Sequence, residues 1–231
     1  MARINKSAIT KLEILQVAFK QFLEKGYSST TISAISKELE MSPGNLTFHF
    51  PTKEHLLAEL VDQLCSFQWV RMEEEANEGF SSVMAICLEL TSMASACNDD
   101  PVIKDFFLAS YTSPMCLETI RKNDTRRAKE VFKAYRPDWS DERFAEAEIL
   151  CSGIEYATLM TANDPVSLET RIFGALNIIL GIYGIPEEVR HEKIRKVFSM
   201  DYKKLGRQVL AEFKEYVEQS SEQAFLDLLK H

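Results

Sequence analysis

No run of about 18 apolar residues occurs in the 231-residue chain, although apolar types make up 45% of it. That is enough for a sizeable core, but it is not arranged as a membrane span. The opening MARINKSAITKLE lacks the apolar stretch of a secretory signal. Cysteine is sparse: Cys65, Cys87, Cys97, Cys116 and Cys151 are odd in number, widely spaced and without metal-type pairing. Reduced thiols and a cytoplasmic location are the expectation. His49, His55, His191 and His231 form no metal motif, and there is neither a nucleophile elbow nor a glycine-rich phosphate loop. These absences argue against an enzyme, a bound metal or a cofactor. There is also no alternating strand pattern with a hairpin turn, no internal repeat and no low-complexity tract.

What remains reads as helix. Leu12, Leu15, Phe19, Phe22 and Leu23 make an apolar stripe over residues 8–25, and Gly26 follows Lys25 as a stop. A long helix is expected over 53–75, with Leu56, Leu57, Leu60, Val61, Leu64 and Phe67 on one face. Beyond Gly79, helical patterns lie near 80–97, 101–112, 115–135, 141–162 and 167–183. Pro101, Pro114, Pro137, Pro165 and Pro186 punctuate their junctions. After Pro186 two or three more helices are expected, ending in an apolar segment around Phe225, Leu226 and Leu229.

The most informative stretch runs from Thr31 to Lys53. Thr31 can cap a short helix carrying Ile32, Ile35 and Leu39 on one face. A tight connection through Glu40 and Met41 leads to Ser42, a second cap, with Pro43 at the first helical position, where its missing N–H costs nothing. Leu46 and Phe50 are four apart and can both point inward. Pro43, Gly44, Asn45, Thr47 and Phe48 are left on the outer side. Pro51 ends this helix, and Thr52 is placed to cap the next one before Lys53. The pattern is a helix-turn-helix.

These residues resemble the DNA-binding domain of TetR-type (tetracycline-repressor-like) bacterial transcription regulators. Their pattern runs Thr, apolar, two residues, Ile, a turn, then Ser-x-Gly-x-Leu-Tyr-x-His-Phe-x-x-Lys. Here it reads Thr31, Ile32, Ile35, Ser42, Gly44, Leu46, His49, Phe50 and Lys53. Three positions depart. Glu40 stands where a turn glycine is common, Ser36 where a small apolar residue is usual, and Thr47 where a tyrosine typically contacts phosphate. The resemblance covers about the first 60 residues. It implies an all-α fold, with a three-helix DNA-binding domain over residues 1–52 and a helical ligand-binding and dimerisation domain over 53–231. It also implies contacts to double-stranded operator DNA from Thr31, Ser33, Ser42, Pro43, Gly44, Asn45, Thr47, Phe48, His49 and Lys53. Among these, the Asn45 carboxamide can bond an adenine edge in two places, whereas Lys53 would meet phosphate.

The net charge of −8 is unevenly spread. Residues 1–56 carry seven Lys/Arg against five Asp/Glu, a net +2 that includes Arg3, Lys6 and Lys11, and the rest carries −10. An acidic bulk would be held away from phosphate while the amino-terminal end approaches it.

Met84, Cys87, Leu88, Thr91, Phe106, Phe107 and Tyr111 could line a cavity, or could be ordinary core. Trp69, near the far end of the long helix, is grouped with them. Glu155 and Tyr156 interrupt an apolar helix, and a buried Glu155 would need a partner such as a cationic ligand. The resemblance implies a pocket for a small-molecule inducer in this domain. The helices near 141–162 and 167–183, joined by Asn163, Asp164 and Pro165, carry small residues at Ala147, Gly153, Ala157, Gly174 and Gly181, with Ile178 among them. They resemble the helix pair that dimerises such regulators, so a homodimer is expected. The leading expectation is a repressor released from its operator by a small molecule that shifts the 53–75 helix. The alternative is a small-molecule-binding helical protein with a degenerate helix-turn-helix.

Overall fold

The computed structural model describes residues 6–77, 82–161 and 166–230. Arg3, Gly79, the Asn163–Asp164–Pro165 turn and the side chains of Phe225, Leu226 and Leu229 lie outside what is described. The described residues form eleven α-helices and no strand. In chain order they are α1 (Lys6–Lys25), α2 (Ile32–Glu38), α3 (Pro43–His49), α4 (Lys53–Ala76), α5 (Val83–Asp99), α6 (Pro101–Thr112), α7 (Pro114–Phe132), α8 (Asp141–Met160), α9 (Leu168–Ile182), α10 (Glu187–Ser199) and α11 (Tyr202–Lys230). None of the described helices is long and apolar enough to cross a membrane.

Local chemistry sets most of the boundaries. Pro101 and Pro114 open α6 and α7 at the first helical position. Asp100 caps α6 by accepting from the Val102 and Ile103 amides at 2.7 and 3.3 Å. Ser140 and Ser167 cap α8 and α9 in the same way.

The amino-terminal helices close on one another through fully buried side chains. Ile14 and Phe22 of α1 meet this core with Ile35 of α2, Leu46 of α3 and Leu56 of α4. Each such residue stabilises the packing by about 1.5–3 kcal/mol.

After Pro186 the chain forms two helices, and the longer one has a clear task. α11 crosses α5 so closely that a Cβ on Gly206 would lie 2.5 Å from the Ser92 carbonyl oxygen, which demands glycine there. It then reaches α1 and α4. Phe213 packs edge-on to Phe19 at 4.8 Å, Lys214 pairs with Glu24 at 3.1 Å, and Glu212 accepts from Arg71 at 2.7 Å. Its Glu218 carbonyl accepts from Gln16 at 3.2 Å. This last helix straps the amino-terminal helices to the larger bundle.

Candidate functional site

The helix-turn-helix forms as its caps dictate. The Thr31 hydroxyl accepts from the Ala34 amide at 3.1 Å, and the Ser42 hydroxyl from the Asn45 amide at 3.1 Å. Between them the Met41 amide donates to the Ser36 carbonyl at 2.9 Å, and Glu40 takes a left-handed backbone with φ of 53°. Glu40 therefore occupies, under strain, the conformation for which glycine is the usual residue. Ser36 is buried, and its hydroxyl is satisfied by the Ser33 carbonyl at 3.1 Å. Thr52 sits at the cap position of α4 but makes no cap to the backbone. Its hydroxyl pairs with the His55 ring at 2.8 Å, because that partner lies one turn ahead of it.

Leu46 and Phe50 point inward, as their spacing requires. Thr31, Ser33, Ser42, Pro43, Gly44, Asn45 and Phe48 are exposed, while Thr47 and His49 are half-buried. Phe48 is 79% exposed, an apolar ring held out from a short helix. Such a ring can meet a thymine methyl in a major groove. Thr47 turns its hydroxyl back to the Gly44 carbonyl at 3.2 Å. Lys37 is exposed one turn beyond Ser33 on α2 and joins this surface. The i, i+4 spacing from Ser33 was the available signal for it.

Lys53 departs from expectation. Its ammonium faces inward, donating to the Tyr27 carbonyl at 2.7 Å and the Thr30 carbonyl at 2.8 Å, and it lies 4.0 Å from the centre of the Tyr27 ring. Partial burial pulls its pKa below the usual lysine value. The charge is spent on holding the start of α4 against the α1–α2 loop. The same loop is held from the other side by α6. Asp105 accepts from the Ser28 amide at 2.8 Å and the Ser28 hydroxyl at 2.5 Å. Gly26, at φ of 90°, leaves room for this carboxylate, which a Cβ would meet at 2.8 Å.

The next residue on α6, Phe106, touches Phe19 of α1 with ring centres 6.4 Å apart and also lines an interior cavity. That cavity has a free volume of about 70 Å³ and lies among α4 to α9. Of the residues the sequence suggests for a cavity, Phe106, Phe107, Tyr111 and Glu155 line this one. The other expected positions do not. Met84, Cys87, Leu88 and Thr91 are buried on other faces of α5, whose cavity face is Ile86, Glu89, Leu90 and Met93. α5 is apolar nearly all round, because helices pack against it on several sides. Trp69 stands behind the wall, with the Arg127 guanidinium 5.0 Å from its ring. Tyr156 points outward, about 100° round the helix from Glu155.

The cavity is acidic, with four lining carboxylates and Arg127. Arg127 donates to Glu89 at 2.9 and 3.2 Å and lies 3.5 Å from Asp124. Burial works against its charge, but Glu89 and Asp124 outweigh that and raise its pKa. Tyr111 donates to Glu155 at 2.9 Å, and Tyr183 donates to Glu148. Burial pushes Asp124 and Glu155 well above the usual carboxylate range and Glu148 up to about 7. Glu148, Cys151 and Glu155 share one face of α8 at i, i+3 and i+7, the spacing that could have revealed Glu148. No group of three His, Cys, Asp or Glu among the described residues is arranged to hold a metal ion.

On the outside of α8 and α9, Ile149, Leu150 and Ile178 are more than half exposed. Gly153 and Ala157 are exposed on the same face of α8, and nothing lies within 4 Å of where a Cβ on Gly153 or Gly174 would stand. Gly181 and Ala147 behave differently. Gly181 packs under the Arg190 guanidinium of α10, 3.7 Å from its would-be Cβ, and Ala147 is fully buried.

Residues 14–60 match the family model described as bacterial regulatory proteins, tetR family. The chain is 46% identical over 52 residues to the HTH-type transcriptional regulator QacR of Staphylococcus aureus, covering 22% of this chain and 28% of that protein. It is 33% identical over 78 residues to the uncharacterized HTH-type transcriptional regulator YuxN of Bacillus subtilis, covering 34% of this chain and 27% of that one. The chain thus matches about a quarter of the length of each relative. Its fold is similar to that of SmeT, the repressor of the Stenotrophomonas maltophilia multidrug efflux pump SmeDEF, with a TM-score of 0.51 at 17% identity over 74% of this chain and 88% of that one. The likeness to the tetR family of bacterial regulatory proteins thus lies in the amino-terminal helices, over residues 14–60.

Proposed function

We propose that this chain is a ligand-responsive transcriptional repressor that binds operator DNA as a two-fold dimer. Residues 1–52 carry the reading head, and 53–231 carry the effector cavity and the dimer face. The observation that carries the reading is an adjacency on α6. Asp105 holds the α1–α2 loop through Ser28, while Phe106 and Phe107 beside it form the cavity wall. A molecule in the cavity pushes directly on the element that positions the helix-turn-helix. α4 supplies a second link, since it lines the cavity through Val61, Leu64, Cys65 and Gln68 and is anchored at its start by Lys53.

On DNA, Asn45 and Phe48 face the base edges, and Thr31, Ser33, Ser42 and Lys37 face the flanking phosphates. Half-sites lie about 34–36 Å apart, so a ligand-induced change in the spacing of two heads disfavours the bound geometry. The exposed apolar face of α8 and α9 supports dimerisation, with Gly153, Ala157, Gly174 and Ile178 presented to a partner. A coupling of about 1–3 kcal/mol between ligand and DNA corresponds to a roughly 5- to 150-fold change in affinity, and it must be reciprocal.

The test is fluorescence anisotropy with DNA from upstream of the protein's own coding region against an unrelated duplex. Preferential binding that Asn45→Ala relaxes is expected. Equal affinity for both duplexes would overturn the reading and favour a ligand-binding protein with a degenerate helix-turn-helix.

A further inference from the structure

We infer that the interior cavity takes an organic cation, held by Glu148 and Glu155 of α8 between aromatic walls. This rests on the reading of the cavity as the effector site. Charge accounting carries the inference. Arg127 is the one basic side chain among the described lining residues; it pairs with Glu89 and Asp124 through Nη1, while its buried Nε and Nη2 have no hydrogen-bond partner. Among the described residues, Glu148 and Glu155 have only tyrosine hydroxyls as hydrogen-bond partners, from Tyr183 and Tyr111. A hydroxyl satisfies a lone pair but does not neutralise a charge. Glu148 is 5% exposed, so water cannot do it either.

Four carboxyl groups against one guanidinium disfavour an anionic ligand, and a neutral one gains only hydrogen bonds from Glu148 and Glu155. An inorganic cation does not fit, because the acidic groups do not converge as metal ligands among the described residues. An organic cation meets both requirements. It offers positive charge to Glu148 and Glu155 and an apolar body to Phe107, Phe132 and Tyr183, the last two stacked with centres 4.0 Å apart. The free volume of about 70 Å³ is roughly half that of an apolar cavity that accepts benzene. A compact ammonium needs little more room, and a larger ligand must displace the walls, α6 among them.

Without ligand, burial favours the protonated carboxylates. The groups facing them are Cys65 on α4, Glu89 on α5, Tyr111 on α6, Asp124 and Arg127 on α7, and Tyr183 after α9. A bound cation favours the ionised forms, so binding releases protons. Affinity therefore falls below the Glu148 value of about 7 and rises as pH increases through it.

The experiment is isothermal calorimetry on the full chain with benzyltrimethylammonium and its uncharged carbon isostere, neopentylbenzene. The cation should bind at least about tenfold more tightly. Its affinity should rise with pH, and proton release should appear in buffers of differing ionisation enthalpy. Glu148→Gln and Glu155→Gln should each weaken it by about tenfold. Equal binding of the two probes, binding of neither, or pH-independent affinity would overturn the inference. If a variant fails to fold, the wild-type pH series decides alone. Failure of the cation with sequence-specific DNA binding intact would sink this inference and spare the proposed function. Loss of specific DNA binding with the cation still bound would do the reverse.

Discussion

Replacing Lys53 with methionine keeps the aliphatic stem and removes the ammonium. Two carbonyls, Tyr27 and Thr30, then lose donors at 2.7 and 2.8 Å, and the Tyr27 ring loses a cation at 4.0 Å. Hydrogen bonds to a charged group contribute about 1.5–3 kcal/mol each, and an exposed to desolvated cation–π contact about 0.5–2 kcal/mol. Against this stands the partial burial that already lowers the Lys53 pKa, together with roughly 2 kcal/mol of side-chain freedom that the lysine gives up. The expected net loss is about 2–3 kcal/mol. A domain with about 5–15 kcal/mol of stability survives that loss. Urea unfolding of Lys53→Met should show it as a lower midpoint. Binding to an unrelated duplex, followed over a salt series, should weaken while keeping its slope. A lysine that neutralises phosphate behaves otherwise, and its loss flattens the slope by about 0.9 per contact. Unchanged stability with a flattened slope would refute the inward assignment and return Lys53 to the DNA backbone.

Glu40→Gly relieves a left-handed residue at φ of 53° and should stabilise the protein by about 0.5–1 kcal/mol, read as a raised urea midpoint; a lowered midpoint would show that the turn is not strained. Ile178→Glu places a charge on the exposed face of α8 and α9 and should shift the protein to monomers in ultracentrifugation, whereas Gly181→Ala, beneath Arg190, should leave the oligomeric state alone. An unchanged dimer in Ile178→Glu would move the interface elsewhere. Asp105→Ala removes both hydrogen bonds to Ser28 and should cost about 1–2 kcal/mol, with faster exchange of the Ser28 amide. Unaltered exchange would mean that α6 does not clamp the reading head.

What the sequence determined by itself was local. Thr31, Ser42 and Pro43 set the short helices because a cap needs only its own next three residues. Pro101 and Pro114 set helix starts because the missing N–H acts at one position. Leu46 and Phe50 turn inward because their spacing leaves one apolar side. The faces of the longer helices were another matter. On α5, apolar residues surround the axis, so periodicity could not choose Ile86, Leu90 and Met93 over Met84, Cys87 and Leu88 for the cavity wall. Arg127 pairs with Glu89, 38 positions apart, while Glu148 and Glu155 accept from tyrosines, and only the packing of α5, α7 and α8 shows it. Lys53 looks like a surface charge in the sequence because no pattern announces that the Tyr27 and Thr30 carbonyls wait for it across a loop. The strap made by α11 rests on contacts nearly two hundred residues apart, such as Lys214 with Glu24. Tertiary structure decided these features because each depends on which surfaces meet, and chain-local rules carry no information about distant partners.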